Sequence, residues 1–270
     1  STGQDGLADD LASLFNSLQT LSAQPTSLEA RQAVVDQAAQ LANRFNQVDR
    51  GITEVQAHLN AAISDDVDSA NTLLEKIASL NQQIDRIESR SGGSANELRD
   101  ARQQSLEALA KLVKVDVAQD SAGTLSVSVA GVALVNGGQV ADQVQAADDG
   151  AGNLIVQTQT DATPLALQGG SLHGHMQVRD QDLAVLKRDI DQLANTLVTA
   201  VNGVHSAGYS LTGSTGADFF QGTTAGTIEV NPALVANPAL LQASGDPTAS
   251  GDNQVALALA QLATQRQGAL

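Results

Sequence analysis

The sequence predicts an α+β protein: an elongated helical bundle or rod with a small antiparallel β domain inserted. Three observations carry this reading. Apolar residues recur at steps of three and four from residue 7 to about 112, the spacing of one helix face. At Val113 the period changes to two and stays so to about residue 168, as half-buried strands require. Helical spacing then returns with Leu183. The 270 residues are enough for about two domains. The expected division is a first rod part at 1–112, a β-rich insertion at 113–170 and a second rod part at 171–270.

Each element has its own signal. Leu7, Leu11, Leu14, Leu18 and Leu21 form the first stripe, and Pro25 breaks it. Thr26 and Glu29 then supply a T-x-x-E capping box for a new helix. From Val34 through Ala38, Leu41, Phe45, Val48, Ile52, Val55 and Leu59 the stripe alternates steps of four and three, a coiled-coil-like seam. It crosses Asp65-Asp66 as Leu59, Ile63, Val67, Ala70, Leu74 and Ile77. Two consecutive steps of four are a stutter, which unwinds a seam locally without ending the helix. No proline lies between Pro25 and Gly92, and Gly51 alone interrupts the run, at about 1 kcal/mol. One helix from about 27 to 90, roughly 95 Å long at 1.5 Å per residue, is therefore expected. Gly92-Gly93 ends it, and Ser94 with Glu97 reads as a second capping box.

About six short strands are expected between 113 and 168. Val113, Val115 and Val117 alternate, as do Leu125, Val127 and Val129, then Leu154 and Val156. Asp120-Ser121-Ala122-Gly123, Asn136-Gly137-Gly138, Asp148-Asp149-Gly150 and Gly169-Gly170 supply the turns. Leu183, Leu186, Ile190, Leu193, Leu197, Val201 and Val204 mark a returning helix that closes at Gly203 and Gly208. Residues 209–252, rich in Gly, Ser, Thr and Asn-Pro pairs, should be an ordered, irregular excursion before a last helical stretch at 255–262.

Composition excludes several functions. The net charge is −16, which disfavours phosphate backbones and anionic membrane headgroups, so neither nucleic acid nor membrane is a partner. Aromatics are 2% of residues; the core must be aliphatic, and no stacking surface for sugars or bases is available. The absence of cysteine removes disulfides, thiolate metal sites and a Cys nucleophile. No apolar run approaches the roughly 18 residues of a membrane span. The first residues lack the basic and apolar regions of a cleaved signal.

Catalytic patterns fare no better. His173-x-His175 sits among glycines with no third ligand nearby, and His58 and His205 are remote; it reads as a solvated loop pair. Asp9-Asp10, Asp65-Asp66 and Asp148-Asp149 read as solvated faces and turns rather than acid/base dyads. Gly213, Gly216, Gly222 and Gly226 lack the lysine of a phosphate-binding loop, and neither H-E-x-x-H nor G-x-S-x-G occurs. No residue is assigned a catalytic, cofactor-binding or metal role.

A family resemblance covers nearly the whole chain. Leu21-Ser22-Ala23-Gln24-Pro25, Ala30-Arg31-Gln32, Leu41-Ala42-Asn43-Arg44-Phe45, Ile77-Ala78-Ser79-Leu80-Asn81-Gln82-Gln83-Ile84 and Glu97-Leu98-Arg99-Asp100-Ala101-Arg102 come first. Gly170-Ser171-Leu172-His173-Gly174, Arg179-Asp180, Leu193-Ala194-Asn195, Val201-Asn202-Gly203-Val204-His205-Ser206-Ala207-Gly208-Tyr209, Gly216-Ala217-Asp218-Phe219-Phe220 and Gly251-Asp252-Asn253 follow. In this order they resemble the flagellar hook-associated protein 1 family, the first hook–filament junction proteins.

The resemblance implies a helical rod carrying a β-rich outer domain, a structural role without enzymatic activity or cofactor, and an extracellular place at the hook–filament junction. Implied partners are the flagellar hook protein, the second hook–filament junction protein and further copies of the same subunit. It also implies type III export without a cleaved signal, with an export chaperone bound through terminal segments that this chain lacks. Flagellin, the second junction protein and, further off, a coiled-coil adhesin are the alternative readings. Without those terminal segments, and at −16, the chain should be a monomer in solution.

Overall fold

The computed structural model describes residues 6–91, 94–120 and 123–265. The chain forms helix α1 (Leu7–Ala23), α2 (Leu28–Ser91) and α3 (Asn96–Leu112). Six strands follow: β1 (Asp116–Gln119), β2 (Leu125–Val129), β3 (Val132–Asn136), β4 (Gln139–Val140), β5 (Val144–Asp148) and β6 (Leu154–Thr158). The chain then returns as α4 (Gly170–Gln177), a π-helical segment (Val178–Leu183) and α5 (Ala184–His205). Strands β7 (Phe220–Gln221) and β8 (Glu229–Val230), helix α6 (Pro232–Ala236) and α7 (Gln254–Gln265) complete it. The class is α+β. No described helix is long and apolar enough to cross a membrane.

The chain divides into two compact units, residues 1–53 with 185–270, and residues 54–184. Each has its own core, aliphatic in the second unit but, against the expectation from composition, joined by all four phenylalanines in the first. In the first, Leu14, Leu18 and Leu21 of α1 meet Val34, Leu41 and Phe45 of α2, Leu197 and Val201 of α5, and Leu259 of α7. Phe219, Phe220, Ile228 and Leu241 of the 209–252 excursion enter the same core. The excursion is irregular because its buried side chains come from short turns, a two-residue strand pair and the single turn of α6 rather than from a long periodic element.

In the second unit Ile63, Val67, Leu74 and Ile77 of α2 and Leu109 of α3 form one core with Val127, Val129, Leu134 and Val135 of the sheet. The second unit therefore takes in the strand-bearing segment 113–170 together with α3 and the later part of α2. The reason is that these strands bury one face against α2 and α3 instead of enclosing a core of their own. Strands β1 to β4 form an antiparallel meander in order, and β5 pairs β6 in a separate hairpin. Strand β2 buries Leu125, Val127 and Val129 and turns Ser126 and Ser128 outward, the expected alternation. Val113 and Val115 lie outside any strand. Val113 instead ends α3, its amide bonded to Leu109 O at 2.9 Å. Ala130 and Gly131, both with positive φ, make the tight β2–β3 turn that no Asn-Gly pair announced.

Three further expectations are corrected. Ser27, not Thr26, caps α2: its Oγ accepts the Ala30 amide at 3.2 Å and donates to Glu29 at 2.8 Å. Leu28 is the first helical residue, so Ala30 holds the third position and Ser27 has the capping offset. At α3, Glu88 replaces the predicted Ser94–Glu97 box by accepting the Ala95 amide at 3.0 Å. The returning helix starts at Gly170 rather than Leu183, because glycines and a π segment conceal its period. Residues 92 and 93, the predicted stop of α2, and residues 121 and 122 lie outside the described residues.

Gly170 closes the strand-bearing segment against α3. Its φ is +83°, and a Cβ there would lie 2.3 Å from the Leu112 carbonyl oxygen. Gly169 O accepts the Lys114 amide at 3.3 Å, so the two ends of residues 113–170 meet.

Candidate functional site

The polar side chains of α2 that point inward do one thing repeatedly: they bind the backbone of another element. Asn81, 2% exposed, donates through Nδ2 to Leu125 O at 2.8 Å and Gly137 O at 2.7 Å. Its Oδ1 accepts from Arg102 Nη1 at 2.7 Å. Asn71 both donates to Val144 O at 2.8 Å and accepts the Val144 amide at 2.9 Å, as a neighbouring strand would. Asn60 reaches Gly152 O at 3.0 Å and the Leu154 amide at 3.3 Å. In the first unit Asn46 donates to Ala225 O at 2.8 Å and Ile228 O at 3.1 Å.

Residues 60, 71 and 81 are spaced by about three helical turns, so these carboxamides rise along one side of α2. Sequence reasoning missed them. The signal was present: asparagine is unfavourable inside a helix, and each of the three sits beside an apolar stripe residue.

Arginines extend the pattern: Arg179 and Arg31 are buried and Arg99 is half-buried. Arg179 in the π segment donates to Asn60 Oδ1 and to Leu154 O, both at 2.7 Å, and pairs with Asp180. Arg99 forks onto Glu88 at 2.9 and 2.7 Å. The Arg99 hydrogen bond, with the Ala95 amide, lowers Glu88 to a pKa of about 2. Arg31, 1% exposed, donates to the carbonyls of Pro25 and Leu241, and burial lowers its pKa to about 10.

The residues weighed as chemistry in the sequence are scattered. His173 and His175 lie on α4 rather than in a loop; His175 Nδ1 is 3.5 Å from Asp66 Oδ2 and has no hydrogen-bond partner among the described residues. Asp66 also accepts from Ser171 Oγ, while Asp65 is exposed. Asp10 is buried rather than solvated, paired with Arg44 at 3.1 Å and accepting from Gln40 at 2.7 Å. Asp9 accepts the Gly6 amide at 3.3 Å. Asp148 and Asp149 fold the β5–β6 turn by accepting amides from Gly150 and Ala151 at 2.6 and 2.7 Å. Gly213, Gly216 and Gly222 are turn residues of positive φ, and Gly226 packs against the Asp49 carboxylate. Among the described residues no three His, Asp or Glu side chains gather as a metal site. An open groove of about 550 Å³ runs between α3 and β1, with Leu106, Ala110, Val115 and Val117 among its lining.

Side chains that hold backbone, along a helix of 64 residues, define a helical scaffold with small sheets mounted on it. Comparison with known proteins gives that class a family. The flagellar hook-associated protein FlgK helical domain matches residues 1–220. Flagellar hook-associated protein 1 of Escherichia coli (strain K12) is 34% identical over 235 residues, covering 82% of this chain and 42% of that protein. The Bacillus subtilis (strain 168) protein of the same name is 27% identical over 301 residues, covering 97% of this chain and 59% of that protein. The solved flagellar hook junction protein FlgK from Burkholderia pseudomallei superposes with a TM-score of 0.73 at 25% identity, over 81% of this chain and 41% of that one. The chain belongs to the flagellar hook-associated protein FlgK family. It spans 42% to 59% of the length of these two curated relatives.

Proposed function

We propose that this chain is part of a structural subunit of the bacterial flagellum that joins hook to filament as a mechanical adaptor, without enzymatic activity. Family membership over most of the chain carries the reading. The helix-borne asparagines and arginines support it, since polar groups engaged with internal backbone serve rigidity under load rather than catalysis. Its partners in this reading are the hook protein, the second hook–filament junction protein and further copies of itself, with an export chaperone acting on segments outside this sequence. The protein is exported by the type III route and works outside the cell. The strand-bearing stretch 113–170 is an insertion between two runs of one helical scaffold, and this chain alone is a monomer.

Immunogold labelling of intact cells with antibodies to this chain tests the proposal. Label confined to one band where hook meets filament is expected. Label along the filament would indicate a flagellin-like subunit, and label on the cell body an adhesin; either outcome rejects the junction.

A further inference from the structure

His205 closes α5 with two hydrogen bonds of opposite sense. Its Nδ1 lies 2.8 Å from Ala217 O, and its Nε2 accepts the Gln242 amide at 2.9 Å. An imidazole serves a carbonyl with one nitrogen and an amide with the other only as the neutral Nδ1–H tautomer. Both partners belong to the 209–252 excursion, so one ring pins two separate points of it to the end of a helix. The Gln242 carboxamide, oriented to satisfy both neighbours, donates to His205 O at 2.7 Å and accepts the Ala217 amide at 3.0 Å. Phe219 meets the ring edge-on at 5.3 Å and meets Phe220 edge-on in turn at 4.8 Å. His205 is wholly buried.

Two charged groups face the ring. Arg31, from α2, donates to Leu241 O beside the clasped amide and opposes a second cation; Asp218, beside Ala217, favours one. Burial, aided by Arg31, outweighs the Ala217 hydrogen bond and Asp218, which favour the protonated ring, and lowers the His205 pKa to about 4 from an ordinary 6.5.

We propose that His205 is an acid-operated clasp whose protonation releases the excursion locally at Leu241–Gln242, while Nδ1–H keeps its bond to Ala217 O. Protonated Nε2 is a donor aimed at an amide donor, so the Gln242 bond cannot persist. The linkage has a definite sign. The closed form binds the proton weakly and the open form binds it at the ordinary value, so opening is favoured as pH falls from about 6.5 to about 4 and levels off below. Between pH 7 and pH 4 the opening equilibrium rises on the order of 100-fold. The clasp does not depend on the flagellar reading.

Amide hydrogen exchange of Gln242 in the 270-residue chain tests it, expressed as protection relative to an unstructured peptide at each pH. Protection should fall on the order of 100-fold from pH 7 to pH 4, while the Leu41 amide in α2 holds its value. His205→Gln can donate to Ala217 O and accept the Gln242 amide without titrating, and should give a flat profile. Constant protection in the unaltered chain, or an equal fall in H205Q, overturns the clasp. Should H205Q not fold, NMR titration of the His205 ring in the unaltered chain decides. A depressed midpoint that tracks Gln242 exchange supports the clasp; an ordinary midpoint, or protonation without a change in exchange, refutes it.

Discussion

Asn81 shows how one side chain holds an element in place. A carboxamide offers two donors and an acceptor in a plane, and Asn81 applies them to Leu125 O, Gly137 O and Arg102. The two carbonyls belong to different parts of the meander, so the residue sets where the sheet sits on α2. Arg102 is 5% exposed, and desolvation lowers its pKa; a buried cation of this kind depends on its acceptors. Asn81→Leu is close in volume but leaves two buried carbonyls and a guanidinium short of a partner. It should destabilise the protein by about 3 kcal/mol in urea denaturation followed by circular dichroism. A loss below about 1 kcal/mol would mean that water replaces the carboxamide there.

At the scale of the element, α2 decides the architecture. Asp65-Asp66 does not interrupt it, because Ile63, Val67 and Ala70 stay buried on the side away from the exposed Asp65, and Asp66, at the edge of that buried side, is engaged by Ser171. A helix this long is held by packing along its face, since propensity alone is marginal in water. Proline at Val67 would remove an intrahelical bond and drive its ring into the preceding turn. Val67→Pro should cost about 3 kcal/mol or more and lower the helical signal at 222 nm. An unchanged urea midpoint would show that the helix tolerates a break at the stutter.

The molecule as a whole has two cores that share no buried residue. Leu41 belongs to the first and Leu74 to the second, and both are fully buried. Removing either side chain beyond Cβ should cost about 3 kcal/mol through lost transfer energy and a residual cavity. Because each core is closed within its own unit, calorimetry should resolve two transitions. Leu41→Ala should lower one and Leu74→Ala the other, each by on the order of 10 °C. A single transition displaced equally by both variants would mean that the units unfold as one.

Periodicity alone determined the long helix, the switch to strands and the return to helix, because a face that must be buried repeats at the period of its own backbone. Tertiary structure decided what periodicity does not encode. Ser27 rather than Thr26 caps α2, since the offset of a single residue is set by where the chain turns. Glu88 replaced the expected capping box because the last turns of α2 carry its carboxylate, fixed by Arg99, back to the Ala95 amide. The sheet shares its core with α2 and α3, so the strands and those helices fall in one compact unit. His205 and the asparagines of α2 stood in the sequence as isolated polar residues. Their roles exist only where folding brings to them the carbonyls and amides of elements far along the chain, and a hydrogen bond between distant residues leaves no period to read.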